Sequence, residues 1–198
     1  MDTASTSGGK RGDKQGGRVS VAQLEAQFRE VTELLYDTRV PAHVLDERLT
    51  PFLAEDIVFV DPWQTGGGRE TYQRGAKGFH CMLRFDFDIT QLNIQLDEEG
   101  LKGRALVDGI MNLKQFSWLY TYPLRTFLVF DFTLERRADG SLQPLIHFHE
   151  EMWSLGDMIE AVPGVGWLYK TLFRPGFSVG FLAASALSRR RKQRESAH

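Results

Sequence analysis

The final predicted hairpin carries ionisable side chains whose spacing would gather them on one face of a sheet. Strands 125–137 and 141–155 flank a turn that contains Gly140. With the common three-residue loop, a type I turn with Gly140 in the left-handed conformation, Arg137 pairs with Ser141. Because side chains alternate along a strand, one face then holds Asp131, His147, His149, Glu151 and Trp153. A two-residue loop would move Asp131 to the opposite face.

These residue types suit proton transfer at a carbon next to a carbonyl group. An enolising substrate needs a base within hydrogen-bond reach and a donor where negative charge develops. Burial in an apolar pocket raises the pKa of a carboxyl group, so one acid can stay protonated while a better-solvated one serves as base. The hairpin pattern leaves open whether this polar face lines a cavity or meets solvent. The opposite face is the more apolar one and holds Leu128, Phe130, Phe132, Ile146, Phe148 and Met152.

The spacing His147-x-His149-x-Glu151 is also one that could chelate a transition metal. The same spacing occurs by chance on any half-polar strand. We therefore expect no metal ion and no cofactor.

Length and composition indicate one globular domain with two appendages. The chain has 198 residues, of which 42% are hydrophobic and 25% charged, values typical of soluble globular proteins. Residues 1–18 are rich in Gly, Ser and Thr without apolar periodicity, so we expect a disordered basic tail. Residues 19–188 hold 15 basic and 23 acidic side chains, a net charge of −8 between two basic ends. An acidic body argues against a nucleic-acid partner.

Targeting features indicate an intracellular protein that is not secreted. Residues 1–18 contain no apolar stretch of secretory-signal length, and Asp2 and Asp13 disfavour a transit peptide. The single cysteine, Cys81, excludes an intramolecular disulfide and fits a reducing compartment. We expect a cytoplasmic location or one peripheral to a membrane.

The order of predicted elements favours an α+β fold. Apolar spacings of three and four predict a first helix that begins near Ser20, and Pro41 suits the first turn of a second. A short strand, residues 57–60, ends at Asp61-Pro62, and a third helix follows a glycine-rich loop. From Phe85 onward two antiparallel hairpins are predicted. Helices segregated from a sheet in this way leave a concavity in which pockets form.

Three features follow one another along the chain: the stretch Leu53-Ala54-Glu55-Asp56-Ile57-Val58-Phe59-Val60-Asp61-Pro62, the loop and helix after it, and a final strand of the form Ile146-x-x-x-x-x-x-Trp153. Together they resemble the nuclear transport factor 2-like superfamily. Within it, the SnoaL-like polyketide cyclases and ketosteroid isomerases are the most similar. The resemblance covers about residues 20–155. It implies a cone-shaped, curved antiparallel sheet with three N-terminal helices on its concave face. We therefore divide the chain into a basic tail 1–18, a SnoaL-like domain 19–155 and a C-terminal helical extension 156–198.

The resemblance also implies roles for individual residues. Asp61 matches the general-base aspartate of the ketosteroid isomerases, and Asp131 lies within a residue of their protonated, oxyanion-stabilising aspartic acid. Final-strand positions with the parity of His149 face the pocket in that family. The chain departs from the isomerases at Glu30-Val31-Thr32, where they place a tyrosine. The resulting hypothesis has Asp61 as base with Asp131 or His149 as donor; the alternative is that Asp61 only caps a turn.

The expected function is binding of a small apolar molecule in a pocket between sheet and helices. Candidate ligand-binding residues are Trp63, Tyr72, Phe79, His147, Glu151 and Trp153. The chemistry expected there is proton transfer of an isomerase, dehydratase or cyclase type. A non-catalytic ligand carrier and an interaction scaffold are the alternatives, so the sequence leaves open whether the protein is an enzyme.

The C-terminal extension combines an apolar run with a basic end. Residues 175–187 are uncharged and precede the cluster Arg189-Arg190-Arg191-Lys192. Thirteen residues are too few to cross a bilayer, which needs about 20. Two interpretations are open: residues 175–198 lie at a membrane surface, or the helix packs on the domain or on a second copy in a homodimer.

Overall fold

The computed structural model describes residues 20–116, 120–162 and 164–195, and its fold is α+β as predicted. The prediction for the tail 1–18 concerns residues outside these ranges. Six strands form one curved sheet. They are β1 Leu53–Val60, β2 Thr65–Gly67, β3 Phe85–Leu96, β4 Lys102–Phe116, β5 Tyr120–Arg136 and β6 Leu142–Trp153.

Three N-terminal helical segments and a C-terminal helical extension complete the described chain. The first segments are α1 Val21–Tyr36, α2 Ala42–Val44 and α3 Arg69–Met82; α2 continues into a π-helical turn Leu45–Leu49 and a 3₁₀ turn Thr50–Phe52. The extension consists of α4 Leu155–Ala161, α5 Val165–Leu168, a π-helical turn Tyr169–Phe173 and α6 Arg174–Glu195. The predicted order of helix, helix, strand, helix and four strands is found, with the short strand β2 added where the sequence predicted a loop.

The sheet is curved, as predicted, and it is mixed, because one of its strand pairs is parallel. Its strand order is β2-β1-β6-β5-β4-β3. The strand β1 runs parallel to β6, whereas all other pairs are antiparallel. The long connection through α3 and four strands lets β6 return beside β1 in the same direction, as a parallel pair requires. This pairing brings Phe59 of β1 beside His149 of β6.

The core lies between α1 and the sheet face that we call the inner face. Ser20 caps α1 by accepting a hydrogen bond from the Gln23 amide at 3.2 Å. The predicted apolar stripe of the helix is buried from Leu24 onward, whereas its first residue, Val21, is exposed. The fully buried Phe28 contacts the inner face. Its ring centroid lies 5.7 Å from that of Phe130 and 4.9 Å from that of Phe132. Burial of such rings is the main stabilising contribution of this helix.

The hairpin between β5 and β6 begins in the predicted register and then changes it. The Arg137 amide donates to the Ser141 carbonyl at 2.8 Å, and Gly140 has φ +83°. Phe132 pairs with Ile146, but the next pair is Asp131 with Phe148, so His147 is an extra residue in the strand. This is a β-bulge, in which two residues of one strand oppose one of the other.

The bulge reverses which side chains of β6 face inward. Beyond it, Phe130 pairs with His149 and Leu128 with Glu151, and all four side chains are buried. Asp131 instead faces the outer side of the sheet, where Arg104 donates to its carboxylate at 2.5 and 2.8 Å. The prediction that Asp131 shares a face with His149 is therefore wrong.

The extension leaves the domain after β6. Ser154 caps α4, and the Tyr122 hydroxyl donates to the Asp157 carbonyl, which fixes α4 against the end of β5. Residues 171–183 are all exposed, so this stretch does not pack on its own domain. Among the described residues, no helix is both long and apolar enough to cross a membrane.

A Phe28→Ala substitution tests the packing of α1 on the sheet. Removal of a fully buried ring is expected to lower the free energy of unfolding by about 3–5 kcal/mol. Val21 in the same helix is 49% exposed, and Val21→Ala is expected to change the free energy of unfolding by less than about 0.5 kcal/mol. Urea denaturation measures both values, and equal effects would contradict the described packing.

Candidate functional site

A cavity of about 190 Å³ lies between α1, α3 and the inner face near β1 and β6. Its apolar side chains are Leu35, Phe59, Ala76 and Phe79. Its larger polar side chains are Tyr36, Asp61, Gln64, Tyr72, His149 and Glu151. A small number of polar groups that converge in an apolar concavity is typical of a small-molecule binding site.

His149 is the most deeply buried polar side chain of the cavity, with 2% exposure. Its Nδ1 lies 2.7 Å from the Tyr72 hydroxyl oxygen and its Nε2 lies 3.2 Å from the Tyr36 hydroxyl oxygen. The ring stacks on Phe130 with centroids 4.4 Å apart. Burial lowers the pKa of His149 to about 3, so the imidazole is neutral at physiological pH.

Glu151 follows two residues later on the same face. The Tyr36 hydroxyl donates to Oε2 at 2.9 Å, and the Trp153 indole Nε1 donates to Oε1 at 3.1 Å. Burial raises the pKa of Glu151 to about 7; the Tyr36 hydrogen bond opposes this rise, and the negative charge of Asp61 adds to it. Glu151 therefore exchanges a proton near neutral pH, as a general acid–base residue must.

The hydrogen bonds among Tyr72, His149, Tyr36 and Glu151 have one consistent direction when Glu151 is ionised. Tyr36 has one hydroxyl proton and donates it to Glu151, so toward His149 its oxygen must accept. The His149 proton is then on Nε2, and Nδ1 accepts the proton of Tyr72. This tautomer is assigned from the network. We call the four residues the proton chain.

The same distances allow the reverse direction when Glu151 is protonated. Glu151 then donates to Tyr36, Tyr36 donates to Nε2 of His149, and Nδ1–H donates to the Tyr72 oxygen. The Tyr72 hydroxyl proton is released from the chain and is free to bind a group in the cavity. Proton uptake at Glu151 is thus linked to donor capacity at Tyr72.

Both tyrosines remain protonated throughout. Burial raises the pKa of Tyr36 and of Tyr72 well above 10, and the negative charge of Glu151 raises each of them further. Their hydroxyl groups are therefore hydrogen-bond donors in the physiological pH range.

Asp61 both caps a turn and lines the cavity. Its Oδ1 accepts from the amides of Trp63 and Gln64 at 2.7 and 2.8 Å, and the Gln64 side-chain amide donates to Oδ2 at 3.0 Å. The turn ends β1 and reverses the chain into β2, so the sequence Asp61-Pro62 positions a carboxylate at the cavity. Asp61 thus lies at the cavity, and its catalytic role stays a hypothesis.

The predicted ligand-binding residues divide into two groups. Tyr72, Phe79 and Glu151 line the cavity together with His149. Trp63 does not line the cavity, because its side chain is 70% exposed. Its ring packs edge-on against that of Trp153, with the two ring centroids 4.7 Å apart. Trp153 contributes through its hydrogen bond to Glu151, so it is a positioning residue.

His147 lies outside the cavity, which corrects its assignment as a ligand-binding residue. As the bulge residue it turns away from His149, with Nε2 3.0 Å from the Thr133 hydroxyl and Nδ1 3.4 Å from the Asp56 carboxylate. The chelating arrangement of His147 and His149 is therefore not formed. Across the described ranges, no group of three His, Cys, Asp or Glu side chains converges as metal ligands would.

Among the larger polar side chains of the cavity, Tyr36 and Gln64 are absent from the set of residues predicted from the sequence. Tyr36 is the last residue of α1, one turn beyond the buried Thr32 and two turns beyond Phe28. The four-residue spacing of these three residues places them in one row of the helix and could have indicated an inward tyrosine. Gln64 has no comparable signal, because a turn brings it to the cavity.

Comparison with known proteins gives similarities of fold only. No protein-family model matches the chain, and no curated protein does. Among solved structures, the chain is similar to ActVI-ORFA of Streptomyces coelicolor, with 14% identity, TM-score 0.45, and 67% of this chain and 96% of that chain covered. The chain is also similar to a nuclear transport factor 2-like protein of unknown function in nutrient uptake from Rhodospirillum rubrum. The identity is 12% and the TM-score 0.49, and the match covers 69% of this chain and 100% of that chain.

Nuclear transport factor 2 of Cryptosporidium parvum gives 18% identity, TM-score 0.46, and 67% and 94% coverage. None of the three names assigns an activity to this chain.

The pH dependence of stability tests the opposite pKa shifts of His149 and Glu151. Between pH 4.5 and 6.5 the unfolded chain carries a proton on His149 but none on Glu151, whereas the folded chain carries one on Glu151 but none on His149. Both states bind one proton, so the pair does not make the free energy of unfolding depend on pH in this range. In Glu151→Gln only His149 remains, so the free energy of unfolding should fall relative to wild type as pH drops, by at most about 1.4 kcal/mol per pH unit.

Urea denaturation at several pH values measures this difference. Glu150→Gln alters the neighbouring carboxylate and is the matched control, expected to follow the wild-type curve. Parallel curves for wild type and Glu151→Gln between pH 4.5 and 6.5 would contradict the buried, oppositely shifted pair.

Proposed function

We propose that this protein is an enzyme that transfers a proton on a small, largely apolar carbonyl compound bound in the cavity. The observation that carries the proposal is the buried proton chain, which connects Glu151 to the Tyr72 hydroxyl inside an apolar concavity. A ligand carrier needs no such chain, because apolar contacts and one fixed donor suffice to hold a ligand.

The size of the cavity limits the substrate. A cavity of about 150 Å³ lined by apolar side chains accommodates benzene, and this cavity measures about 190 Å³. It fits one substituted six-membered ring. The rings of Phe59 and Phe79 supply apolar contacts for such a substrate.

Glu151 is the proposed base. Its pKa of about 7 means that a substantial fraction is ionised at neutral pH while the group remains a strong enough base for a weakly acidic C–H bond. It abstracts the proton from the carbon next to the carbonyl group. As the enolate forms, the electron pair of that C–H bond becomes the new C=C double bond and the π electrons of the carbonyl group move to its oxygen. Glu151 later returns the proton to another carbon or to the leaving group.

Tyr72 is the proposed donor to the carbonyl oxygen. Protonation of Glu151 permits the proton chain to reverse, and reversal frees the Tyr72 hydroxyl proton for the cavity. The donor therefore becomes available as negative charge develops on the oxygen. Donors placed where charge develops stabilise the transition state more than the ground state.

Asp61 has an electrostatic role in this proposal. Its negative charge raises the pKa of Glu151 and so strengthens the base. Asp61 and Gln64 also offer polar atoms for a hydroxyl or amino group of the substrate. This assignment differs from the sequence-based hypothesis, in which Asp61 is the base.

The proposal is tested by measuring, with NMR, the exchange of α-hydrogens for deuterium in D₂O. Small cyclic ketones and enones serve as the substrates. Glu151→Gln removes the base and is expected to lower the exchange rate about 10²–10⁴-fold. Tyr72→Phe removes the donor and is expected to lower it about 10²–10³-fold. Glu150→Gln is the control and should retain the wild-type rate. Ligand binding without exchange in the wild type would contradict the proposal and favour a carrier.

The pH profile separates the roles of the two carboxylates. Because the base form is needed, kcat/KM for exchange should rise with pH and level off above about 7. Asp61→Asn removes a charge that raises the pKa of Glu151, so the rise should move to lower pH while activity persists. Complete loss of exchange in Asp61→Asn, with Glu151→Gln active, would instead make Asp61 the base.

A further inference from the structure

The exposed apolar residues of the described chain are concentrated in the C-terminal extension. Ten of its large hydrophobic side chains are between 48% and 69% exposed: Val162, Val165, Trp167, Leu168, Leu172, Phe173, Phe177, Val179, Phe181 and Leu182. Large contiguous apolar surfaces on soluble proteins mark interaction sites. The cavity and its proton chain do not use this surface, so it requires a separate explanation.

The base of the extension is anchored, whereas its later part projects from the domain. The Glu160 carboxylate accepts from Lys170 Nζ at 2.8 Å and from Arg174 Nη1 at 3.0 Å. These two ion pairs neutralise much of the charge at the start of α6. Beyond them, residues 175–187 carry no charge. The apolar segment is thus presented away from the domain on a fixed base.

The apolar side chains of α6 lie on opposite sides of the helix. At 100° per residue, Val179 lies roughly opposite Phe177, yet the two are 68% and 66% exposed. Phe181 and Leu182 are exposed to the same degree, 64% and 66%, although they point about 100° apart. A helix that packs on a partner needs one apolar stripe. Apolar residues on all sides fit a medium that surrounds the helix, such as lipid.

The charge sequence favours a membrane with anionic lipids. The uncharged run ends at Leu187 and is followed by Arg189, Arg190, Arg191, Lys192 and Arg194, against one Glu195. Basic residues beside an apolar helix are attracted to anionic lipid headgroups. In a parallel pair of copies, the same residues would repel one another. The rest of the folded chain, residues 19–161, holds 13 basic and 23 acidic side chains, a net charge of −10. It is repelled by such a surface and would stay off it.

We propose that the extension, residues 162–195, binds the surface of a membrane rich in anionic lipids and inserts its apolar segment into the interface. The 13 uncharged residues of α6 extend about 20 Å, less than the roughly 30 Å of a hydrocarbon core. The helix therefore enters one leaflet and does not cross. Trp167 suits the boundary between headgroups and acyl chains.

Vesicle flotation of the full chain tests this proposal. The probes are vesicles of phosphatidylcholine alone and of phosphatidylcholine with 30% phosphatidylglycerol. Binding to the anionic vesicles should be at least about tenfold tighter than to the neutral ones and should weaken at high salt. The variant Phe173→Ser/Phe177→Ser/Phe181→Ser should lose binding at least about tenfold.

A matched control is Phe127→Ser/Met152→Ser, which removes two exposed apolar side chains from the outer face of the sheet. It should bind vesicles as the wild type does, and thermal melting checks that each variant folds. Absence of vesicle binding, or equal binding by the triple variant, would overturn the proposal. A dimer in analytical ultracentrifugation that the triple variant dissociates, with no vesicle binding, would assign the surface to a second copy.

Discussion

The β-bulge at His147 is the constraint on which the candidate site depends. Without it, the alternation of β6 would continue unbroken from Ile146, and His149 and Glu151 would face the same side as Asp131, on the outer sheet surface. One extra residue moves two ionisable side chains into the core. The cost of burying them is offset because His149 has hydroxyl partners on both ring nitrogens and Glu151 has a donor on both oxygens.

Three separate elements supply those partners, so the site is a property of the whole fold. Tyr36 comes from the end of α1, Tyr72 from the first turns of α3, and Trp153 from the end of β6. Burial moves the pKa of His149 down and that of Glu151 up, which keeps both groups neutral between about pH 3 and about pH 7. The hydrogen bonds among the four residues can all be made with Glu151 ionised or protonated, because their direction reverses with its proton.

Much of the fold follows from local sequence signals, whereas the face of the last strand does not. Helical spacing, the turn at Gly140 and the sequence Asp61-Pro62 all predict features that the structure contains. The apolar parity of Phe148 and Met152 left the inward face of β6 open, because a bulge arises from pairing with a neighbouring strand and leaves no mark in one strand. Burial of His149 is favourable only with partners from distant segments, which spacing alone cannot reveal.

The protonation state of His149 tests the central claim most directly. With ¹⁵N-labelled histidine, NMR reports the tautomer and charge of each imidazole as pH changes. At pH 8, where Glu151 is ionised, we expect His149 to carry its proton on Nε2, and we expect the ring to remain uncharged down to about pH 4. A His149 ring that becomes charged between pH 8 and pH 5 would show that it faces solvent, and would contradict both the bulge-directed burial and the proton chain.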